Sequence, residues 1–144
     1  MSGVIYFDTS ALAKWYMNES RSDDVEVFIQ QHGPVAISDL TIVEMRCLLS
    51  RRRREKTLTM GMEAEIFATF QEDIRRRFLI CHPFPAGLAM GAINLMVFLP
   101  DIPVRSLDAM HLVIAKEIGC EILATADRIM AEAGKALSLK VARF

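Results

Sequence analysis

The sequence has 144 residues, a length typical of one domain, so we expect a single domain over residues 1–144. Hydrophobic residues make up 52% of the sequence and charged residues 24%, a composition that excludes an intrinsically disordered chain. The formal net charge is −1, so the protein is not a polycation. Any contact with nucleic acid must therefore come from local basic patches.

The cysteines and the apolar segments favour a cytoplasmic protein. Cys47, Cys81 and Cys120 lie far apart in apolar stretches and form no C-x-x-C pair, so we expect buried free thiols in a reducing compartment. The longest apolar segment, residues 86–99, is too short to span a bilayer. The N-terminus lacks the pattern of a signal peptide. We therefore predict a cytoplasmic protein that makes no membrane contact.

The hydrophobic pattern predicts short strands that alternate with helices along the whole chain. The predicted strands are residues 4–7, 35–38, 78–81, 120–125 and 139–142. The predicted helices are residues 11–17, a short one near 25–29, 40–54, 62–77, 86–99, 106–118 and a short one after residue 127. This alternation predicts an α/β protein with a mostly parallel sheet of four or five strands, covered by helices on both faces.

Four acids lie at the end of a predicted strand or at the start of a predicted helix. They are Asp8, Glu44, Asp108 and Asp127. In a parallel sheet such positions share one edge, where ligands usually bind, so the four carboxylates could converge there. Converging carboxylates repel one another, and a hard divalent cation such as Mg²⁺ or Mn²⁺ is their natural partner.

Each of these acids also has a purely structural interpretation. Asp8 and Asp127 could be helix N-caps, and Glu44 could close a capping box with Thr41. Asp108 could simply favour the positive end of its helix. Taken one at a time, the structural interpretations are the more common ones, and the residues alone leave both possibilities open.

Two further side chains lie close to these acids in the sequence. Ser10 could cap the first helix, or it could hold a water or a phosphate near Asp8; if Asp8 binds a cation, we expect Ser10 to be the cap. His111 follows Asp108 by three residues and continues an apolar helix face. We expect His111 to be hydrogen-bonded beneath the site and not to bind metal.

A run of arginines ends the long helix that carries Glu44. The run consists of Arg51, Arg52, Arg53 and Arg54. It could be a solvated helix end favoured by the helix dipole, or it could bind RNA phosphates through planar, bidentate guanidinium groups. The sequence alone does not decide between these two readings.

With these residues in view, the sequence resembles PIN-domain proteins, and within that family the VapC-type toxins of bacterial toxin–antitoxin pairs. The resemblance runs nearly end to end and depends on four segments in order: FDTSALAKWY with Asp8, TIVEMRCLLSRR with Glu44, RSLDAMHLVIA with Asp108 and His111, and LATADRIM with Asp127. The resemblance implies a three-layer α/β/α fold and a single PIN domain.

The resemblance also implies a function. It implies a Mg²⁺- or Mn²⁺-dependent endoribonuclease in which Asp8 and Asp108 bind the metal, with Glu44 and Asp127 completing the shell directly or through water. It further implies an RNA substrate, a cognate VapB-type antitoxin and a homodimer. One alternative is a PIN domain that binds RNA or assembles with partners and has little or no catalysis. A phosphatase or receiver built on Asp8 is disfavoured, because position 10 holds Ser10 where such a phosphatase needs a second aspartate.

Overall fold

The structure is a computed structural model that describes residues 3–144. Strands and helices alternate along this part of the chain. The strands are β1 (Val4–Phe7), β2 (Val35–Ser38), β3 (Leu79–His82), β4 (Cys120–Thr125) and β5 (Lys140–Arg143). The helices are α1 (Thr9–Tyr16), α2 (Ser22–His32), α3 (Asp39–Arg54), α4 (Met60–Arg75), α5 (Leu88–Phe98), α6 (Ser106–Glu117) and α7 (Arg128–Ala136).

The strands form one five-stranded sheet in the order β3-β2-β1-β4-β5, and every neighbouring pair is parallel. The predicted fold class is therefore confirmed. The chain moves outwards from β1 through β2 to β3, and then returns to the other side of β1 for β4 and β5. The strand order thus changes direction between β1 and β4, and in open α/β sheets the crevice at such a point is where ligands bind.

The core consists of two apolar layers, one on each face of the sheet, because alternate residues of a strand point to opposite faces. Ile5 and Phe7 pack with helices α1 to α4, and Phe70 of α4 is fully buried in that layer. Tyr6 points the other way, into the layer that α5, α6 and α7 cover, which includes Leu112. The sheet between these two helical layers gives the three-layer architecture that the resemblance implied.

Several element boundaries differ from the predicted ones by one or two residues. Helix α4 starts at Met60 because the Thr59 side chain caps it by accepting a hydrogen bond from the Met62 backbone N–H at 3.1 Å. Helix α5 starts two residues later than predicted, after Gly87, which has a φ of 75°. That left-handed conformation is easy for glycine, so the chain turns there and the helix begins after the turn.

The cysteines are all free thiols, but the prediction that they are buried is wrong for Cys47. Cys47 is exposed because it lies on the outer side of α3, whereas Cys120 is buried and Cys81 is partly buried. Burial raises the pKa of the Cys120 thiol to about 11, which keeps it protonated and unreactive. Within residues 3–144, none of the helices combines the length and the apolar character needed to cross a membrane.

Candidate active site

The four predicted acids all line one cleft with a volume of about 440 Å³. The cleft lies beyond the carboxyl ends of the central strands, between β1, α3, α6 and the start of α7. We call it the acid cleft; its polar lining residues are Asp8, Thr9, Ser10, Glu44, Arg51, Arg105, Asp108, His111 and Asp127. The structure therefore brings together Asp8, Glu44, Asp108 and Asp127, although they are up to 119 positions apart in the sequence.

Asp8 is the most deeply buried of the four acids, with only 3% of its surface exposed. Its Oδ1 accepts hydrogen bonds from the Ala11 backbone N–H at 3.0 Å and from the Ser10 hydroxyl at 2.7 Å, and its Oδ2 accepts one from the Thr125 hydroxyl. Burial raises the pKa of the Asp8 carboxyl, while attraction to His111 and these hydrogen bonds oppose the rise. These hydrogen bonds hold the Asp8 carboxyl in one orientation.

The helix cap of α1 is Asp8, so the prediction that Ser10 takes this role is wrong. Ser10 is the second residue of the helix, too late to cap it. Its hydroxyl instead donates to Asp8 and accepts the Ala126 backbone N–H at 3.0 Å. Ser10 therefore ties the end of β1 to the end of β4.

Thr125 is a site residue that the sequence analysis missed. It is the last residue of β4, fully buried beside β1. Its hydroxyl donates to Asp8 and accepts the Asp127 backbone N–H at 3.0 Å. The available signal was a hydroxyl residue at the end of β4, directly before Ala126 and Asp127, because that position neighbours Asp8 when β1 pairs with β4.

Glu44 is held by a chain of hydrogen bonds that leads into the core. Its Oε1 accepts from the Thr9 hydroxyl at 2.7 Å and is in close contact with Nε2 of His111. Because a carboxylate can only accept, His111 Nε2 carries the proton. On the other side of the ring, Nδ1 lies 2.6 Å from the Tyr6 hydroxyl, which lies 2.9 Å from the Ser38 hydroxyl.

This chain of hydrogen bonds determines the charge of Glu44. Burial alone would raise the pKa of the Glu44 carboxyl, but the hydrogen bond and charge of His111, together with the Thr9 hydroxyl, outweigh burial and lower it. Glu44 is therefore ionised near neutral pH. His111 is only 2% exposed, and the structure places it beneath the cleft as a hydrogen-bonded support for Glu44.

Asp108 and Asp127 both lie at helix starts and both face the acid cleft. Asp108 accepts the Arg105 backbone N–H at 3.4 Å, and Asp127 caps α7 by accepting the Met130 backbone N–H at 3.1 Å. Burial raises the pKa of the Asp108 carboxyl, the Arg105 backbone N–H opposes the rise, and the charge of Asp127 adds to it. The structural and the functional interpretations of these acids are thus compatible.

The donor atoms of the acid cleft fit a hard divalent cation that keeps part of its water shell. No group of three or more His, Cys, Asp or Glu side chains in residues 3–144 is close enough to hold a metal by itself. Mg²⁺, however, is usually bound through one or two carboxylates and several waters. Such an ion would offset the cost of a buried negative charge on Asp8 and the repulsion between Asp108 and Asp127.

The four arginines at the end of α3 have different surroundings. Only Arg51 lines the acid cleft. Arg52 lies 3.4 Å from Glu19, and Arg53 forms an ion pair with the half-buried Glu63 of α4. Arg54 is exposed and forms no ion pair within the described part of the chain. The structure therefore brings one arginine of the predicted run into contact with the cleft.

A second groove adjoins the acid cleft, and the sequence analysis did not foresee it. We call it the apolar groove; it has a volume of about 550 Å³ and shares Thr9, Ser10, Glu44 and Arg51 with the acid cleft. Its other lining residues are Ala13, Lys14, Glu19, Leu40, Val43, Cys47, Leu48, Arg52, Leu107 and Ala126. Anything bound along the apolar groove would reach the edge of the acid cleft.

A sequence model of the PIN domain matches residues 5–136, a range that contains all four acids. The chain belongs to the PIN-domain family. No curated protein sequence matches it at a significant level.

Solved structures share the fold of this PIN domain at low sequence identity. VapC20 from Mycobacterium tuberculosis, described as a toxin that cleaves the sarcin–ricin loop, is 19% identical with a TM-score of 0.70, over 90% of this chain and 95% of that chain. FitAcB from Neisseria gonorrhoeae is 16% identical with a TM-score of 0.68, over 96% of each chain. VapBC2 from Rickettsia felis, bound to a DNA fragment from its promoter, is 12% identical with a TM-score of 0.69, over 98% of each chain.

Proposed function

We propose that this PIN domain is a Mg²⁺- or Mn²⁺-dependent endoribonuclease and the toxin component of a VapBC-type toxin–antitoxin pair. The observation that carries the proposal is the convergence of Asp8, Glu44, Asp108 and Asp127 on one cleft. A phosphodiester cannot approach these carboxylates unless a cation neutralises them. Membership of the PIN family and the likeness of the fold to VapC20 support the same conclusion.

In this proposal Asp8 and Asp108 bind the ion directly, and Glu44 and Asp127 contribute directly or through water. When bound, the ion supplies a Lewis acid for a phosphoryl oxygen and lowers the pKa of the attacking water. The protein fixes the ligands: Ser10 and Thr125 orient the Asp8 carboxylate, and the Tyr6–His111 pair keeps Glu44 ionised and in one position. Such fixed hydrogen bonds to ligands are a common requirement of metal sites.

The substrate in this proposal is RNA with unpaired segments. The cleft is lined mostly by charged and hydroxyl side chains, which suit contacts with a backbone phosphate, and no Phe, Tyr or Trp is among its lining residues. RNA-binding proteins recognise specific sequences in single-stranded loops and bulges more readily than in regular double helices. Choice of the target RNA would then depend on its shape and on residues outside the cleft.

The partner in this proposal is a VapB-type antitoxin that occupies the apolar groove. Leu40, Val43, Leu48 and Leu107 line the groove, and the exposed Val43 is 61% accessible. A polypeptide with apolar side chains would cover these residues and extend to the edge of the acid cleft, where it would block RNA. We place the pair in the cytoplasm, where thiols such as that of Cys47 stay reduced.

A homodimer is also part of the proposal, and the exposed face of α5 is its contact surface. Met90, Ile93, Val97 and Phe98 are 60%, 51%, 73% and 69% exposed, and their spacing places them along one side of the helix. Clustered exposed apolar residues of this kind mark interaction surfaces. Val97→Asp should convert the dimer to a monomer in light scattering, while Val27→Asp on α2 should leave the mass unchanged.

RNA cleavage by the purified protein tests the proposal. Total RNA should be cut in the presence of Mg²⁺ or Mn²⁺ and left intact in EDTA. Asp108→Asn should abolish cutting, while Asp101→Asn, at an exposed loop position on the way to α6, should leave it unchanged. Cutting by the Asp108→Asn variant would disprove the site.

A PIN module that binds RNA or partners without useful catalysis is the second candidate. One observation favours it, which is that Asp8 and Asp127 both serve as helix caps, so these acids have roles in the fold that do not need catalysis. This candidate predicts that Mn²⁺ raises the melting temperature while RNA stays intact at every Mn²⁺ concentration.

A further inference from the structure

Two arginines line the acid cleft together with the four acids. Arg51 comes from the last turn of α3, and Arg105 directly precedes α6. Both side chains lie on the exposed side of the cleft, whereas Asp8 at its inner end is 3% exposed.

These two guanidinium groups are available to a ligand. The Arg51 side chain is 55% exposed, and its one ion pair in the described chain is a 4.0 Å contact with the half-exposed Glu55 of the same helix. Contacts of that kind contribute very little to stability. Arg105 forms no ion pair with any described residue. By contrast, Arg53 and the nearby Arg46 both pair with Glu63, whose side chain is only 14% exposed.

A strand of RNA needs such groups in this cleft. An RNA strand in the cleft has several phosphates near the acids. A cation held by the carboxylates would neutralise the charge only around the phosphate that is cleaved. The neighbouring phosphates would still meet the negative field of Glu44 and Asp127. Guanidinium groups offset that repulsion, and they bind phosphate oxygens through two parallel hydrogen bonds.

We propose that Arg51 and Arg105 bind the RNA phosphates next to the one that is cleaved, and that Arg52, Arg53 and Arg54 do not. This inference rests on the proposed ribonuclease function. Because Arg51 lies in α3 and Arg105 directly precedes α6, both can contact phosphate only when the substrate has phosphates beyond the one that is cleaved. The protein should therefore cut a dinucleotide much less efficiently than a longer single strand.

The test compares Arg51→Ala and Arg105→Ala with Arg54→Ala, a control from the same arginine run that does not line the cleft. For a single-stranded RNA, each phosphate contact contributes a slope of about −0.7 to the plot of log affinity against log salt concentration. Arg51→Ala and Arg105→Ala should each make this slope shallower by about 0.7, and the double variant by about twice that amount. Arg54→Ala should retain the slope of the parent protein.

Two readouts separate the inference from the proposed function. Fluorescence anisotropy in Ca²⁺, a hard cation that can neutralise the acids in place of Mg²⁺, measures affinity with an RNA checked to stay intact under those conditions. Steady-state cleavage in Mn²⁺ should show a several-fold higher KM with little change in kcat for Arg51→Ala and Arg105→Ala. Arg51→Lys and Arg105→Lys, which keep the charge, should restore the salt slope. The Mn²⁺-induced rise in melting temperature should be that of the parent in all of these variants.

The possible outcomes separate the assignment of the two arginines from the proposed nuclease activity. If the parent protein cuts RNA and the two alanine variants keep its KM and its salt slope, the arginine assignment is wrong and the nuclease stands. If the parent binds RNA with a salt slope that depends on Arg51 and Arg105 but never cuts it, the assignment stands and the nuclease is wrong. If Arg54→Ala changes the slope as much as the others, the arginines act as a general basic patch and the inference is overturned.

Discussion

Replacing Asp8 with Asn should stabilise the metal-free protein, although Asp8 lies at the centre of the candidate site. The carboxyl is 3% exposed, and burial raises its pKa. Asn is as good a helix N-cap as Asp, so the hydrogen bond from the Ala11 backbone N–H should be kept. The substitution removes a buried negative charge and retains the shape of the side chain. The amide nitrogen that replaces Oδ2 can donate to the Thr125 hydroxyl, which would then turn its own proton towards Ser10 Oγ, 3.4 Å away.

The size of the effect follows from the pKa. Because the pKa in the folded protein lies above the usual value of 3.8, the folded state binds more protons than the unfolded state between these two values. Stability therefore falls as the pH rises through that window. Each unit by which the pKa is raised costs about 1.4 kcal/mol above the folded-state pKa, or roughly 3–5 °C in melting temperature for a domain of this size.

Thermal unfolding in EDTA measures this difference. The melting temperature of Asp8→Asn should equal that of the parent near pH 4 and exceed it increasingly as the pH rises to 7.5. Mn²⁺ should then raise the melting temperature of the parent much more than that of the variant, because a ligand at 100 times its Kd stabilises the parent by about 2.7 kcal/mol and Asp8→Asn should lose most of this gain. Asp101→Asn should behave as the parent in both conditions.

Two results would refute this reasoning. If Asp8→Asn is less stable than the parent at pH 7.5 in EDTA, the Asp8 carboxylate stabilises the fold, and its burial does not lower the free energy of unfolding. If the variant and the parent respond equally to Mn²⁺, the ion does not bind at Asp8.

Three further substitutions test the structure around the site. Tyr6→Phe should lower the free energy of unfolding in urea by about 1–3 kcal/mol, because it leaves buried hydrogen-bonding partners unpaired; an unchanged value would contradict the hydrogen-bond chain. Glu63→Gln should cost about 1–2 kcal/mol by weakening two ion pairs between α3 and α4; a melting temperature equal to the parent's would contradict the linkage. Gly134→Ala should cost about 1–3 kcal/mol, because the new methyl group would lie 2.8 Å from a Leu123 methyl group. Gly61→Ala on α4 is its control and should be neutral or stabilising, because the new methyl group would make only an ordinary contact with Thr59 Oγ1 at 3.9 Å.

The sequence predicted the features that depend on local pattern. The alternation of strands and helices gave the fold class, and the position of each acid at a strand end or helix start placed the four carboxylates on one edge. The strand order could not be read in this way, because it depends on pairing between strands such as β1 and β4, which lie more than 110 residues apart. The PIN resemblance implied the three-layer architecture, and the strand order comes from the structure.

The supporting residues were missed because their partners are distant in the sequence. Tyr6 reads as an ordinary apolar residue of VIYF, and its role depends on His111, 105 positions away. Thr125 reads as the end of a strand, and its role depends on Asp8, 117 positions away. Glu63 reads as a surface residue of an amphipathic helix, yet it lies between two arginines of α3.

The choice between a helix cap and a cation ligand, which the sequence posed for Asp8 and Asp127, is not a real alternative in this fold. Helices begin at the edge where strands end, so a carboxylate that caps a helix already faces the cleft beyond the sheet. Backbone N–H groups hold the carboxylates in position, and each oxygen has more than one acceptor site. At Asp8, Oδ1 accepts two hydrogen bonds but Oδ2 only one. A cation at Oδ2 can therefore bind without removing the cap.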